Sequence, residues 1–353
     1  MHKKRYVIIF ICVCLGILLL PKLKQVERKP NYRPRYMVET GRVHGTMYKL
    51  SYESPIGTSV TSSLDSLFHA FDLSLSTFND SSIISRINRN DTTVVVDDFF
   101  SSVFSTAVEV SKNTGGAFDM TVAPLVNAWG FGFKKKENVT PQLVDSLLHH
   151  VGYEKVKLEN GRLIKSDPGI MLDASAIAKG YSCDVVARFL ESKGVKNYMV
   201  DIGGEVVVKG QNPRGQKWSI GIEKPIDDST MIHQELKCTI YMNGWAVATS
   251  GNYRQFYHQG GKKYSHTINP HTGYPVSHNL LSATVIAPDC KTADAYATAF
   301  MVLGLEESLI LVNCLPNLEA YFIYENEMGE MSVQYTEGFE KYFHSGAEKD
   351  TVQ

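Results

Sequence analysis

Short segments rich in β-branched and aromatic residues follow one another along the second half of the chain, and this run constrains the fold most. Such residues favour strands over helices. The predicted strands cover residues 198–202, 206–208, 218–222, 236–241, 245–248, 256–258, 264–268 and 283–286. Strands in runs with helices inserted predict an α+β fold, a single large domain built on a mainly antiparallel sheet.

The remaining elements follow from periodicity and turn chemistry. We expect a hairpin over residues 38–52 with its turn at Gly45, a strand over 169–172, and hairpin turns at 243–244 and 260–261. A helix capped by Ser59 carries one apolar stripe, and another over 99–112 ends at Gly115. Thr140 and the following proline begin a further helix. The domain extends over residues 36–345, with a small lobe at about 134–168.

The amino terminus has the pattern of an export segment. Lys3, Lys4 and Arg5 precede an uncharged apolar run over residues 6–20, which is typical of a signal or signal-anchor. We assign this role to residues 1–24, a proline-containing tether to 25–35 and a tail to 346–353. The expected location is the cell inner membrane, with this segment as the membrane contact and the folded domain in the periplasm.

Charge points to no particular partner. The formal net charge is −1 at pH 7, and the chain carries no motif of a DNA- or RNA-binding protein. We therefore expect no nucleic-acid partner.

Residues 172–181 join a strand-like run to an amphipathic helix, and the joint carries Asp173, small residues and Lys179. A helix N-terminus exposes unpaired N–H groups and a partial positive charge, so an anion such as a phosphate is favoured there. The alternative is an ordinary strand-to-helix turn capped by Asp173 or Ser175. This stretch alone does not choose between them.

Three other clusters hold residues that a core does not need. The first cluster is Ala117, Phe118 and Asp119. The second is a tight turn beside His266. This histidine is either a base that deprotonates a hydroxyl, or a strand residue whose ring nitrogens are hydrogen-bonded within the fold. In the third, Asp294 and Thr298 share a helical face. They are either oxygen ligands of one hard cation such as Mg²⁺, or a helix cap and a hydroxyl bonded back to a carbonyl.

The usual nucleotide-binding loops are missing. The sequence contains neither G-x-x-x-x-G-K-S/T nor G-x-G-x-x-G, and the pair of glycines at 203–204 is too short to count as a phosphate loop. A serine nucleophile elbow is also absent. Any nucleotide must therefore be bound by another scheme.

Taken together and in this order, the clusters resemble the ApbE family, the FAD:protein FMN transferases. Seven segments carry the resemblance, within residues 76–88, 116–131, 172–181, 200–205, 248–251, 265–273 and 293–298. The resemblance implies an ApbE-type, T-fold-like domain. It also implies a transferase that cleaves FAD, attaches FMN through its phosphate to a Thr or Ser of a target protein, and releases AMP.

The family's site residues map onto this chain one by one. The resemblance implies that Mg²⁺ is held by Asp294, Thr298 and the backbone carbonyl of Ala176, and that His266 and Lys179 are catalytic. The implied FAD contacts are His44, Phe78, Ala117, Phe118, Asp119, Asp173, Lys179 and Ile268. The implied partner is an acceptor flavoprotein, an exported protein or a membrane redox subunit.

Three positions depart from the family pattern and bear on the site. Ala297 stands where some relatives carry a further acid just before the metal threonine, which leaves fewer charged metal ligands. Phe78 stands where many relatives have Tyr, so stacking on the flavin remains available without a hydroxyl contact. Asn269 stands where Asp is common, which we interpret as a turn variant.

Two other functions fit the same residues. If water replaces the acceptor hydroxyl, the protein is an FAD pyrophosphatase that releases FMN and AMP. A non-catalytic flavin-binding protein would need neither a base nor a metal, and the presence of candidates for both favours the transferase.

Overall fold

The computed structural model describes residues 35–225, 236–252, 256–259 and 262–343, with the backbone alone at 256–259 and 262–264. The predicted signal or anchor (1–24), nearly all of the tether, the tail and the glycine turn at 260–261 lie outside these ranges. Arg35, which the sequence assigned to the tether, is the first residue of a strand. Within the described ranges, no helix has the length and apolar character needed to cross a membrane.

The centre of the fold is an eight-stranded sheet. Its strand order is β1-β2-β5-β6-β9-β12-β13-β14, and every neighbouring pair is antiparallel. These strands are β1 Arg35–Val43, β2 Thr46–Ser54, β5 Tyr198–Ile202, β6 Glu205–Lys209, β9 Ala246–Gly251, β12 Leu280–Ala287, β13 Glu319–Glu325 and β14 Met331–Tyr335. The prediction of a mainly antiparallel α+β fold is confirmed.

Within the described ranges, three two-stranded antiparallel ribbons accompany this sheet. They are formed by β3 Val156–Glu159 with β4 Arg162–Lys165, β7 Trp218–Glu223 with β8 Leu236–Met242, and β10 Phe256–Gln259 with β11 Lys262–Ser265.

Two predictions about strands and turns were wrong. Residues 169–172 form no strand, and Met171 makes only an isolated parallel bridge to Val122. Residues 243–244 do not join a hairpin, because β8 pairs with β7 whereas β9 pairs with β6 and β12.

Eight α-helices lie in the described part of the chain. They are α1 Thr61–Leu75, α2 Ile83–Asn88, α3 Asp98–Asn113, α4 Ala123–Trp129, α5 Pro141–Leu148, α6 Ser175–Ser192, α7 Cys290–Leu303 and α8 Leu305–Cys314. Thr140 caps α5 as predicted, since its side chain accepts a hydrogen bond from the N–H of Leu143.

The cap of α1 differs from the prediction. Val60, not Ser59, is the N-cap residue, and it has no side-chain cap. Instead, Glu39 of β1 accepts hydrogen bonds from the Val60 N–H and from the hydroxyls of Tyr52, Ser59 and Thr61. The carboxylate comes from a neighbouring strand, which a search for a local cap cannot find.

Alternation along the strands separates two apolar layers. Val207 packs on one face of β6 with Val186 and Leu190 of α6, whereas Val206 packs on the other face with Trp218 and the β7–β8 ribbon. α7 covers β9 and β12 beside α6 and buries its side chains almost completely. The two helices therefore lie side by side on one face of the sheet, and their contact brings together the candidate site.

Candidate functional site

Residues 172–181 form the entry to α6. The helix begins at Ser175 with Ala174 as its N-cap, and neither Asp173 nor Ser175 is the cap that the sequence suggested. The Asp173 carboxylate instead accepts a hydrogen bond from the Ser175 N–H at 2.8 Å, and burial raises the pKa of this carboxyl. Leu172 is fully buried and anchors the joint.

The segment with Ala117, Phe118 and Asp119 lies directly beside this joint. The Asp173 N–H donates to the Met120 carbonyl at 2.8 Å, so two clusters far apart in sequence are adjacent. The side chains of Ala117 and Phe118 are buried. A ligand at this point would therefore meet main-chain atoms rather than these side chains.

The Asp119 carboxylate is engaged within the protein. It accepts hydrogen bonds from the N–H and hydroxyl of Thr121 and from the N–H of Tyr153, each at 2.7 Å. Burial raises its pKa, although these donors act in the opposite direction. The contacts give Asp119 a structural role between the loop and residues 150–153, and its proposed contact with FAD stays a prediction.

α6 and α7 approach each other closely at Gly180. A Cβ atom on this residue would lie 2.3 Å from the Cys290 carbonyl oxygen, so only glycine allows this spacing. The Gly180 N–H donates to Asp294 Oδ2 at 2.9 Å across the two helices. Asp294 is 2% exposed.

A second contact fastens the two helices. Asp184 of α6 accepts hydrogen bonds from the N–H groups of Cys290 at 2.8 Å and Lys291 at 3.0 Å, at the start of α7. Burial raises the pKa of Asp184 to about 7, and the two N–H donors oppose this effect. The orphan N–H groups of a helix N-terminus are thereby satisfied from another helix.

Lys179 lies between two buried carboxylates. Its ammonium forms an ion pair with Glu205 Oε1, and its Nζ is 3.8 Å from Asp294 Oδ1. The carboxylate side chains are each 3% exposed, whereas Lys179 is 36% exposed. Burial works against the ammonium, but Asp294 and Glu205 outweigh it and raise the pKa of Lys179. Burial raises the pKa of Glu205 to about 7, while Lys179 stabilises its carboxylate.

Asp294 and Thr298 occupy successive turns of α7, and the Thr298 hydroxyl is 3.1 Å from the Ser250 hydroxyl. In an α-helix the N–H of Gly180 points at the carbonyl of Ala176. Because this N–H donates to Asp294 Oδ2, helix geometry places the carboxylate on the side of the Ala176 carbonyl. A carboxylate, a hydroxyl and a carbonyl are oxygen donors of the kind that Mg²⁺ prefers, so the predicted ligands fit the ion chemically. Among the described residues no cluster of three or more His, Cys, Asp or Glu offers an alternative metal site.

His44 lies in the turn between β1 and β2 with a positive φ of 50°. Its Nδ1 is 2.9 Å from Asp72 Oδ1 and its Nε2 is 2.9 Å from the Ser182 hydroxyl. Ser182 follows Lys179 by three residues on α6. The His44 side chain is 11% exposed. Its two hydrogen bonds connect the hairpin to α1 and α6. Its contact with FAD stays a prediction.

Phe78 has the opposite environment. It lies between α1 and α2 and is 79% exposed. The turn that carries it is held by Ser82, whose hydroxyl donates to the Ser76 carbonyl at 2.7 Å. An exposed aromatic ring on an ordered turn is available for stacking.

The loop after β11 carries His266 and Ile268. The ring centroids of His266 and Phe131 are 6.4 Å apart. Ile268 is buried beside Trp129, whose indole N–H donates to the Gly273 carbonyl at 2.8 Å. The predicted strand over 264–268 ends at residue 265, and Ile268 makes only an isolated bridge.

Asn269 shapes this loop. Its side-chain oxygen accepts hydrogen bonds from the N–H groups of His271 at 2.8 Å and Thr272 at 3.2 Å. An Asp at this position would accept the same bonds, in agreement with a turn variant. A Cβ on Gly116 would lie 3.1 Å from the His271 ring, so the loop packs beside the segment of Ala117.

Three residues at this site were not among the predicted site residues. Glu205, Asp184 and Ser250 contact Lys179, the start of α7 and Thr298 respectively. Glu205 and Ser250 belong to segments that resemble the family, so a signal existed for both. Asp184 carries no local signal, because its partners are backbone groups 106 and 107 residues away.

The comparisons with known proteins agree with this architecture. The profile of the ApbE family matches residues 44–322. The FAD:protein FMN transferase of Haemophilus influenzae is 36% identical over 304 residues, 82% of this chain and 87% of that protein. The enzyme of the same name from Vibrio cholerae is 36% identical over 316 residues, 87% of this chain and 90% of that protein.

Solved structures show the same fold. The flavin transferase ApbE from Vibrio cholerae superimposes with a TM-score of 0.79 at 32% identity and covers 88% of this chain and 100% of its own. The apo flavinyl transferase ApbE of Pseudomonas stutzeri gives a TM-score of 0.78 at 29% identity, over 90% of this chain and 99% of its own. Since the profile match and these relatives extend over most of its length, this chain belongs to the ApbE family.

Proposed function

We propose that this protein is an FAD:protein FMN transferase. It breaks the pyrophosphate of FAD, attaches FMN through its phosphate to a Thr or Ser hydroxyl of a target protein, and releases AMP. Relatives of this name at 36% identity support the transferase activity. The observation that carries the proposal is the contact of α6 and α7, where Lys179 lies between Glu205 and Asp294 beside the N-terminal turn of α6.

Cleavage of a pyrophosphate builds up negative charge that the site must stabilise. Lys179 keeps its positive charge because Asp294 and Glu205 raise its pKa. More than a third of its side chain is exposed, so it can still contact a phosphate oxygen from the open side. The N–H groups at the start of α6 add a favourable field for the same anion.

We assign the metal site to Asp294, Thr298 and the Ala176 carbonyl. The hydrogen bond from the Gly180 N–H to Asp294 supports this assignment, because the same N–H faces the Ala176 carbonyl in an α-helix. A bound Mg²⁺ would neutralise phosphate oxygens during transfer. Asp294 is held ready for this role because Gly180 already orients one of its oxygens.

We assign the general base to His266. Its imidazole would accept the proton of the acceptor hydroxyl as that oxygen attacks the phosphorus of the FMN half of FAD. The loop that carries it is ordered by Asn269 and packs beside Ala117. Phe78, exposed on its turn, would stack on the flavin ring.

Two experiments separate this function from the alternatives. Mass spectrometry of a co-expressed candidate acceptor should detect FMN on a Thr or Ser, and AMP should appear in equal amount. With FAD and Mg²⁺ but no acceptor, rapid release of free FMN and AMP would favour a pyrophosphatase. Stoichiometric FAD that stays intact in the presence of both metal and acceptor would indicate flavin binding without turnover.

We also propose that the protein acts at the periplasmic side of the inner membrane, on an exported flavoprotein or a membrane redox subunit. The basic residues before the apolar run at 6–20 support export and anchoring. Cell fractionation followed by protease treatment of spheroplasts tests this location. A full-length protein found in the cytosolic fraction would contradict it.

A further inference from the structure

Glu205 has a buried oxygen that nothing in the described structure satisfies. It is the first residue of β6 and follows Gly203 and Gly204, which have φ values of 69° and 99°. Its Oε1 pairs with Lys179, whereas its Oε2 is buried and has no hydrogen-bond partner among the described residues. Burying a carboxylate oxygen in this way is costly, so the position of Glu205 calls for a reason beyond its own stability.

The Lys179 ammonium has two buried carboxylates within reach. Its Nζ is in direct contact with Glu205 but 3.8 Å from Asp294 Oδ1. A lysine ammonium is a point charge on a flexible stem, so it can move toward a nearby buried negative charge. Without the Glu205 charge, Asp294 would be the remaining buried carboxylate beside it, and Lys179 would close on that residue.

An ammonium paired with Asp294 would compete with a cation for the same carboxylate. Resting on the proposed function, which assigns Asp294 to the metal, we propose that Glu205 is a positioning residue. It holds the Lys179 ammonium away from Asp294 and so keeps Asp294 available to a divalent cation. Glu205 acts through Lys179 and is not itself a ligand.

Titration calorimetry of the full-length protein with Mg²⁺, in the absence of FAD, tests this role directly. Glu205→Gln should weaken Mg²⁺ binding by about 10- to 100-fold, the range typical for loss of a residue that supports a metal site without ligating the ion. Lys179→Met should bind Mg²⁺ at least as tightly as the unsubstituted protein. In Lys179→Met/Glu205→Gln the affinity should return to that of Lys179→Met, because the competing ammonium is gone.

Glu191→Gln provides the matched control, since Glu191 of α6 pairs with Lys209 of β6 in another lysine–glutamate pair between the same two elements. It should leave Mg²⁺ binding unchanged. If a thermal scan shows that Glu205→Gln does not fold, Glu205→Asp provides the comparison. It should lose less Mg²⁺ affinity than expected for Glu205→Gln, and adding Lys179→Met should remove this loss.

Two results would overturn the role of Glu205 alone. The first is unchanged Mg²⁺ binding in Glu205→Gln. The second is an equal loss of Mg²⁺ affinity when Glu205→Gln is made in the unsubstituted protein and in Lys179→Met, which would make Glu205 a ligand. In both cases the unsubstituted protein still binds Mg²⁺ and Asp294→Asn does not. Absence of Mg²⁺ binding by the unsubstituted protein would instead overturn the metal assignment and this role together.

Discussion

The backbone N–H of Gly180 donates to the carboxylate of Asp294 at 2.9 Å, because the absence of a side chain on Gly180 lets α6 approach α7 closely. Main chain and carboxylate are in contact at the point where the resemblance placed the metal. The spacing of the two helices therefore sets the geometry of Asp294, Lys179 and Thr298 together.

Gly180→Ala should disturb this spacing. The added Cβ would lie 2.3 Å from the Cys290 carbonyl, and overpacking of this kind costs about 1–3 kcal/mol. We expect a lower melting temperature and weaker Mg²⁺ binding by calorimetry. Gly244→Ala is the control, because no atom lies within 4 Å of a Cβ there. A Gly180→Ala protein with unchanged stability and metal affinity would contradict the close contact.

Thr298→Val should weaken Mg²⁺ binding while leaving the fold intact. Valine keeps the shape of threonine but removes the hydroxyl that lies 3.1 Å from Ser250. Binding of Mn²⁺, followed by electron paramagnetic resonance, measures the loss. Thr284→Val removes a hydroxyl that pairs with Thr249, on the opposite side of β9 from Ser250. Equal metal affinity in the two variants would argue against Thr298 as a ligand.

His266→Ala should separate chemistry from binding. Loss of a general base typically slows a reaction by about 10²–10⁴-fold, so transfer of FMN should fall by this factor. FAD affinity, measured by flavin fluorescence titration, should stay close to that of the unsubstituted protein. If binding and transfer fall together, His266 is a structural residue.

Phe78→Ala should weaken FAD binding without a stability cost. The ring is 79% exposed, so its removal leaves no cavity, whereas a lost aromatic stack costs about 0.5–1.5 kcal/mol. We expect a rise in the dissociation constant for FAD of roughly 2- to 13-fold. Met328→Ala, at an 84% exposed residue, should leave both properties unchanged. Unaltered FAD affinity in Phe78→Ala would remove this residue from the site.

Glu39→Gln should destabilise the protein in a pH-dependent way. Burial raises the pKa of Glu39, but its four hydrogen-bond donors outweigh burial, so its pKa in the folded state lies below the ordinary value. The stability that the carboxylate contributes is therefore present above about pH 4.3, the unfolded pKa, and is lost as the pH falls through the folded pKa.

At pH 7 the substitution should cost about 1–3 kcal/mol, measured by urea denaturation. The difference between the two proteins should shrink as the pH is lowered below about 4. A difference that stays constant from pH 7 to pH 3 would show that the charge of Glu39 is unimportant.

Local patterns were enough to predict much of the fold and the family. Apolar periodicity and turn residues act over a few neighbours, so the turn at Gly45, the cap at Thr140 and most of the helices and strands were predicted. The clusters around Asp119, Lys179, His266 and Asp294 were found because each is a short run of chemically unusual residues. The family resemblance that they carry is confirmed.

Tertiary structure alone decided the contacts among these runs. Lys179 meets Glu205 and Asp294 across separations of 26 and 115 residues, and Glu39 satisfies a helix that begins 22 residues later. Such contacts exist only after the sheet has brought α6, α7 and the turn before β6 together. A buried charge takes its role from the groups packed around it, and these groups come from distant parts of the chain.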